Sequence, residues 1–325
     1  MGILMNKSLL DEIRYACAQV ATRARHVQIS QTRIPPYAAG LPLGQALAPL
    51  VDPNHHYLAE LEGTLAFILT LDAVNFGSGY FPHLRKRPGL SGYFTIATAL
   101  KEHFERKGPF SAYELSCLTA DDCRTVFGQV QDEGPIDELM ILFAQALKQL
   151  GRFLEGRFGG QFINVVEAAN HSAEQLISIL AEMPFFRDVE PYDGLEVPFY
   201  KRAQLTAADL ALALHDDELG QFSDLDRLTI FADNLIPHVL RRDGILQYDD
   251  ALAREIERRA LIPSGFLQEV EIRACAVHAV ELIRAELQLA GRPVTSMGLD
   301  YLLWNRGQSP EYKAYARHRT RTVYY

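Results

Sequence analysis

The chain has 325 residues, 48% of them hydrophobic and 22% charged, an ordinary globular balance; at this length roughly three-quarters of the unfolded surface can be buried. The formal net charge of −9 argues against long nucleic acid as a partner, because such proteins present a basic face. The most apolar long segment, residues 57–76, carries Glu60, Glu62 and Asp72, which excludes a membrane span. The short apolar start, followed by Lys7, Asp11 and Glu12, is no signal peptide.

In chain order, residues 65–74 are almost uniformly apolar and predict a buried helix. Residues 137–154 and 172–182 show the 3.6-residue period of amphipathic helices, and Ser172 with Gln175 forms a capping-box pattern at the start of the second. Residues 188–200 predict an isolated β-hairpin turning at Asp193-Gly194. Residues 205–214 and 268–289 return to helical period. In the latter, Val270, Ala274, Val277, Val280 and Leu287 share one stripe, Glu269 and Arg273 form an i,i+4 pair, and Gly291 and Pro293 end the helix. Breakers cluster at residues 34–36, 77–82, 156–160 and 263–265, none long enough for a flexible linker. The expectation is one all-α, mainly helical domain over residues 1–325 with a small β-hairpin.

Generic catalytic signatures are absent, and Gly77-Ser78-Gly79 reads as a tight turn. Cys17, Cys117, Cys123 and Cys275 are scattered without a C-x-x-C pair, as in a reduced, cytoplasmic protein without a structural metal. Three segments place polar groups where apolar ones are expected. Asp72 and Asn75 interrupt an apolar helix, and either tie down the following loop or face a polar cavity. Asp233 lies between two apolar runs, and either caps a helix or pairs in the core, or accepts two N–H bonds from a planar donor edge. Asp300 and Trp304, the only tryptophan, are i,i+4 on one helix; the indole either packs in the core or offers a face to a base. The ending 317–325 alternates Arg317, His318, Arg319 and Arg321 with Thr and Tyr, which suits a docked segment; with Lys201 and Arg202 it supplies positive charge for a phosphate.

Together these segments resemble the queuosine salvage protein family, the queuosine 5'-phosphate N-glycosylases. The likeness runs from about residue 50 onward through Leu71-Asp72-Ala73-Val74-Asn75-Phe76, Phe199-Tyr200-Lys201-Arg202, Phe231-Ala232-Asp233, Gln268-Glu269-Val270-Glu271-Ile272-Arg273, Asp300-Tyr301 with Leu303-Trp304, and the His318 to Tyr325 ending. The resemblance implies a fold similar to helix-hairpin-helix DNA glycosylases and hydrolysis of queuosine 5'-monophosphate to queuine and ribose 5-phosphate. It implies no metal and no organic cofactor; a free nucleotide as partner, no membrane and a monomer are the accompanying expectations. Carried over by position, Phe231, Ala232 and Asp233 hold the base; Asp300, Tyr301 and Trp304 line the same pocket; His56, Asp72 and Asn75 join it. Lys201, Arg319 and Arg321 are expected at the 5'-phosphate. In the family pattern an aspartate, the nucleophile or stabiliser of the ribosyl cation, follows Leu-Trp; here it is Asn305, which carries no charge. That amide implies either a natural variant with a displaced carboxylate or, the favoured expectation, a deliberately neutralised form. A protein that binds a modified nucleobase without cleaving it is the alternative. A nucleic-acid-binding relative of DNA glycosylases is disfavoured by the acidic charge.

Overall fold

The computed structural model describes residues 8–44, 51–131 and 134–325. The chain forms two compact units that interleave in sequence. Both are mainly helical, and among the described residues the only sheets are two antiparallel strand pairs.

The first unit gathers residues 8–44, Asp188–Lys201 and Asp226–Arg321. Its axis is the helix Leu267–Leu289, against which the helix Leu9–Arg23 packs. The expected single stripe is too narrow a description: residues 269–277 are buried on every side, including Glu269, Glu271 and Arg273. Buried charge on this scale must be satisfied locally. Glu271 accepts from the backbone N–H groups of Arg25 (3.0 Å), His26 (2.7 Å) and Val27 (3.1 Å) and from the Tyr192 hydroxyl (2.9 Å). These bonds seat the short strand Val27–Ile29, which pairs with Leu246–Tyr248 in the register Val27↔Tyr248 and Ile29↔Leu246.

The expected hairpin is present as Val189–Tyr192 and Leu195–Pro198. Its turn residues Asp193 (φ 44°) and Gly194 (φ 80°) both occupy the left-handed region, the geometry whose twist matches a two-residue hairpin. Pro35 and Pro36, expected to break structure, instead open the helix Ile34–Gly40, where their missing N–H groups and fixed φ cost nothing.

The second unit comprises residues 51–131 and 134–187 with Arg202–Leu225 and Thr322–Tyr325. The predicted apolar helix is Leu61–Ala73, buried throughout from Gly63. The long helix Pro135–Phe158 runs through Gly156, one of the expected breakers, and stops only at Gly159 (φ 61°). At its middle, a Cβ on Gly151 would stand 2.5 Å from the Ala112 carbonyl oxygen, so this glycine permits the close crossing of the helix Ala112–Cys117. Ser172 caps the helix Ala173–Leu180 by accepting from Gln175 N–H (3.1 Å). Asp224 accepts from the next two N–H groups of the first turn, those of Ala173 (2.6 Å) and Glu174 (3.2 Å).

Arg202, grouped with Lys201 as a phosphate contact from the sequence, is fully buried here. It donates to the carbonyls of Asp72 and Ala73 (both 2.8 Å) and of Phe185, between the Phe76 and Phe186 rings. It caps the end of the helix Leu61–Ala73, a cation at the negative end of the helix dipole.

Candidate active site

Within the first unit, the loop 231–235 meets the helix Ser296–Gly307. Gly307 makes this possible, because a Cβ there would lie 2.6 Å from Leu235 Cδ1. Thr295 starts the helix by accepting from Gly298 N–H (3.0 Å). Asp300 falls one turn in, 4% exposed, and its Oδ1 accepts from the Phe231 backbone N–H at 2.8 Å. Burial pushes the Asp300 carboxyl well above the usual carboxylate range, and the neighbouring Asp233 charge pushes further in the same direction. The Phe231 N–H and the Lys201 ammonium act against them and are outweighed.

Asp233 is half-buried and its Oδ1 accepts from Leu235 N–H (2.6 Å) and Ile236 N–H (3.2 Å), so it holds the start of the helix Ile236–Arg242. Both bonds fall on one oxygen, which leaves Oδ2 outside the cap. Phe231 is 4% exposed and its ring meets that of Tyr301 edge-on, centroids 6.1 Å apart at 69°. Tyr301 and Trp304 are half-buried on the same helix, whereas Phe231 is buried. Asn305 is exposed to solvent on the next step of that helix.

Behind this cluster lies a buried ion network. Asp188 receives both Arg273 terminal nitrogens (3.0 and 2.5 Å) and the Lys201 backbone N–H (3.1 Å). Arg273 Nε donates to the Ala232 carbonyl (3.0 Å), and its guanidinium lies 3.9 Å from the Phe199 ring centroid. Glu269 stands 3.5 Å from Arg273 Nη1. The network therefore fixes both the hairpin's exit, where Tyr200 is forced to φ 46°, and the loop carrying Asp233. Glu190, on the hairpin, is raised to about 7 by burial and by Glu269.

Several of these groups were not singled out from the sequence. The i,i+4 pair Glu269–Arg273 lies in a stretch, residues 269–277, that is buried on every side. Nothing local identifies Asp188 as the partner, since 85 residues separate it from Arg273.

The C-terminal segment alternates in burial: His318, Thr320 and Thr322 point inward while Arg317, Arg319 and Arg321 are half-buried. It docks through Ile262 N–H to Arg319 O (2.8 Å) in a parallel bridge with Leu261, and through Asn234 Nδ2 to His318 O (3.5 Å). Burial lowers His318 to about 3, so its ring is neutral.

His56, Asp72 and Asn75 belong to the second unit. His56 is buried, Nδ1 at 2.9 Å from the Asp52 carbonyl and Nε2 at 2.8 Å from the Tyr93 hydroxyl. A carbonyl only accepts, so Nδ1 carries the proton; burial lowers the ring's pKa, and Nε2 accepts from Tyr93. Asp72 is fully buried and its Oδ1 accepts from the Asn75 amide (3.3 Å), a local tie at the helix end. Among the described residues no three His, Cys, Asp or Glu side chains converge as a metal site, and no helix is long and apolar enough to cross a membrane.

A mainly helical unit that holds a buried carboxyl resisting ionisation, a second carboxyl group and aromatic rings on one loop–helix junction has the makings of a site for a flat heterocycle. The comparisons with known proteins give that class a family. The chain belongs to the queuosine salvage protein family, whose description matches residues 55–325. It is 36% identical over 312 residues to the queuosine 5'-phosphate N-glycosylase/hydrolase of Sphaerobacter thermophilus, covering 94% of this chain and 95% of that one. Proteins of the same name from Mus musculus (32% identity, 81% and 82% coverage) and Bos taurus (33%, 72% of each) are also similar.

Proposed function

We propose that this protein hydrolyses queuosine 5'-monophosphate to queuine and ribose 5-phosphate, with Asp233 and Asp300 as the reacting pair of acidic groups. The named activity of its relatives supports the reaction, and one observation carries the assignment: the Asp300 carboxyl, buried against the Phe231 N–H and resisting ionisation, stands in the field of a second carboxyl group, Asp233. Two acids whose surroundings push their proton affinities apart divide the work of acid and charge stabiliser.

Cleavage breaks the bond between the anomeric carbon and the base nitrogen. The bonding pair leaves with the base, water adds to the anomeric carbon, and a proton reaches the base. The transition state carries positive charge on the ribosyl ring, which a fixed carboxylate in a dry site stabilises. Asp233 fits that role, since two backbone N–H groups lock its orientation through Oδ1 and leave Oδ2 to face the sugar. Neutral Asp300 fits the role of hydrogen-bond donor to the departing base, whose 7-deaza ring lacks the nitrogen usually protonated in purines. Tyr301 and Trp304 supply stacking faces, and Lys201 brings positive charge.

This reading puts the stabilising charge at Asp233 rather than at position 305, because an exposed side chain such as Asn305 acts in high dielectric, where a charge has little effect. Free cysteines and the free-nucleotide substrate favour a cytoplasmic monomer. The test is queuine and ribose 5-phosphate release from queuosine 5'-monophosphate, followed by mass spectrometry. Asp233→Asn should lower kcat by about 10²–10³-fold, the scale of losing one preorganised charge-stabilising group. Absence of release by the unaltered protein, or full activity in the variant, would overturn the reading.

A further inference from the structure

The strand pair Val27–Ile29 with Leu246–Tyr248 bonds across through every second residue. Ser30 N–H donates to Ile245 O and Asp249 N–H to His26 O (both 2.9 Å), so in the register Val27↔Tyr248 the residues that face the partner strand are His26, Gln28 and Ser30. Val27 and Ile29 turn their N–H and C=O groups to the opposite, outer edge. At Val27 the helix Leu267–Leu289 stands in for a third strand. Glu271 accepts from the Val27 N–H (3.1 Å), and Cys275 Sγ donates to the Val27 carbonyl (3.8 Å). At Ile29 that substitution stops: among the described residues its N–H and C=O have no partner. Nor has the ring of His278, three residues beyond Cys275, any hydrogen bond or ion pair.

Both line a cavity of about 260 Å³, with Ala21 and Val27 as apolar walls and the exposed Gln28 and Gln31 at its rim. No Asp, Glu, Lys or Arg lines it. His278 is half-buried, and burial favours its neutral ring over the opposing pull of Glu281, so one ring nitrogen donates and the other accepts. The chemistry on offer is therefore uncharged: a donor and an acceptor side by side on one peptide residue, and an imidazole. In an extended strand the N–H and C=O of one residue point the same way and pair with a neighbour in two parallel bonds. A lactam or a carboxamide carries the same adjacent N–H and C=O, and can satisfy both backbone groups at once. A peptide strand would use successive outward residues, but Val27 is already bonded to the helix, which leaves the pair of groups that a single amide needs. The volume lies just below the roughly 300 Å³ at which pockets for drug-sized molecules begin, and suits one or two fused rings.

We propose that the outer edge of Ile29 and the His278 ring form a second binding site of the first unit, one that takes a small, neutral, planar heterocycle through its lactam or carboxamide group. Ile29 reads the adjacent N–H and C=O, and His278 bonds a further polar atom on the ring. The site shares no residue with the Asp233–Asp300 junction and does not depend on the hydrolase reading. Calorimetry on the full chain with hypoxanthine, a neutral two-ring lactam, and with 1-methylhypoxanthine, whose lactam N–H is replaced by a methyl group, tests the pairing. His278→Leu and Ala21→Leu test the location, the first by removing the ring nitrogens and the second by filling the cavity from the helix Leu9–Arg23.

Hypoxanthine should bind at least about tenfold more tightly than its methylated form, the scale of losing one hydrogen bond and leaving a carbonyl unpaired, and with little dependence on salt. His278→Leu should weaken hypoxanthine binding about tenfold and Ala21→Leu should remove it. Circular dichroism shows which variant is folded, and either one alone decides the location. Equal affinity for the two bases would refute the lactam pairing. Tighter binding of a blocked alanine dipeptide than of hypoxanthine would make the edge a peptide-docking strand and overturn the choice of ligand. Unchanged hypoxanthine affinity in both variants would place the base elsewhere, the Asp233–Asp300 junction included. That outcome would remove the second site and leave the hydrolase reading, which stands or falls on queuine release, untouched.

Discussion

Replacing Asp300 by asparagine tests the proton that the site is built to keep. The folded protein resists ionising Asp300, whereas the unfolded chain releases that proton near the ordinary aspartate value of about 3.9. Above that value the unfolded state binds fewer protons than the folded one, so the group's stabilising contribution is complete below it. The contribution is lost as pH rises, at about 1.4 kcal/mol per unit, until folded Asp300 itself ionises. Asparagine preserves the shape and the acceptor for Phe231 N–H but has nothing to titrate. The variant should therefore gain on the unaltered protein as pH rises from 4.5 to 6.5. Urea unfolding at three pH values in that window, read by circular dichroism, gives the difference directly. A difference that stays constant across the window would show that Asp300 is ionised in the folded protein, and the division of roles with Asp233 would fall with it.

Arg273→Met leaves Asp188 and Glu269 buried without their cation and should cost about 3–5 kcal/mol in urea unfolding. Adding Asp188→Asn should recover part of that loss, and strict additivity of the two would show that the pair is not coupled. Asn305→Asp should change the rate of queuine release by less than about threefold, because an exposed charge is screened; a hundredfold gain would place the stabilising charge at 305 instead. Folded His238 and His318 take up protons only near pH 4 and 3, against about 6.5 when unfolded, so stability should fall as pH drops below 6.5. His238→Gln should remove up to about 3 kcal/mol of that acid sensitivity, and an unaltered slope in chemical unfolding would show the ring protonated in the fold.

Helix positions and the hairpin were legible because their signals are local. A buried apolar run, a 3.6-residue stripe and Asp193-Gly194 each specify structure within a dozen residues. The strand pair Val27–Ile29 with Leu246–Tyr248 was not legible, for its three-residue strands lie more than two hundred residues apart and depend on Glu271 to bind their backbone. Pro35 and Pro36 misled as breakers because proline ends a helix from inside but starts one at its first turn. At the site, the sequence singled out Asp233, Asp300, Phe231 and Tyr301, and the structure brings them to one junction. It did not show that Asp233 spends one oxygen capping a helix, nor that Asp188 and Arg273 brace the loop from behind, because partnership between distant charges leaves no periodic trace. Arg202 and Lys201 are adjacent in sequence, yet one is sealed against helix carbonyls and the other sits in the field of Asp300.

The distribution of charge bears on how a chain with a net charge of −9 would accept the dianionic nucleotide proposed as its substrate. A phosphate approaching Asp233 meets a like charge, and the bulk composition offers no attraction to offset it. The first unit moderates this by burial: Asp300 is enclosed where its carboxyl resists ionisation, so the field of the two acids is weaker than that of two free carboxylates. Only a field assembled from particular side chains, and not the sum of charges along the chain, accounts for such a substrate binding here.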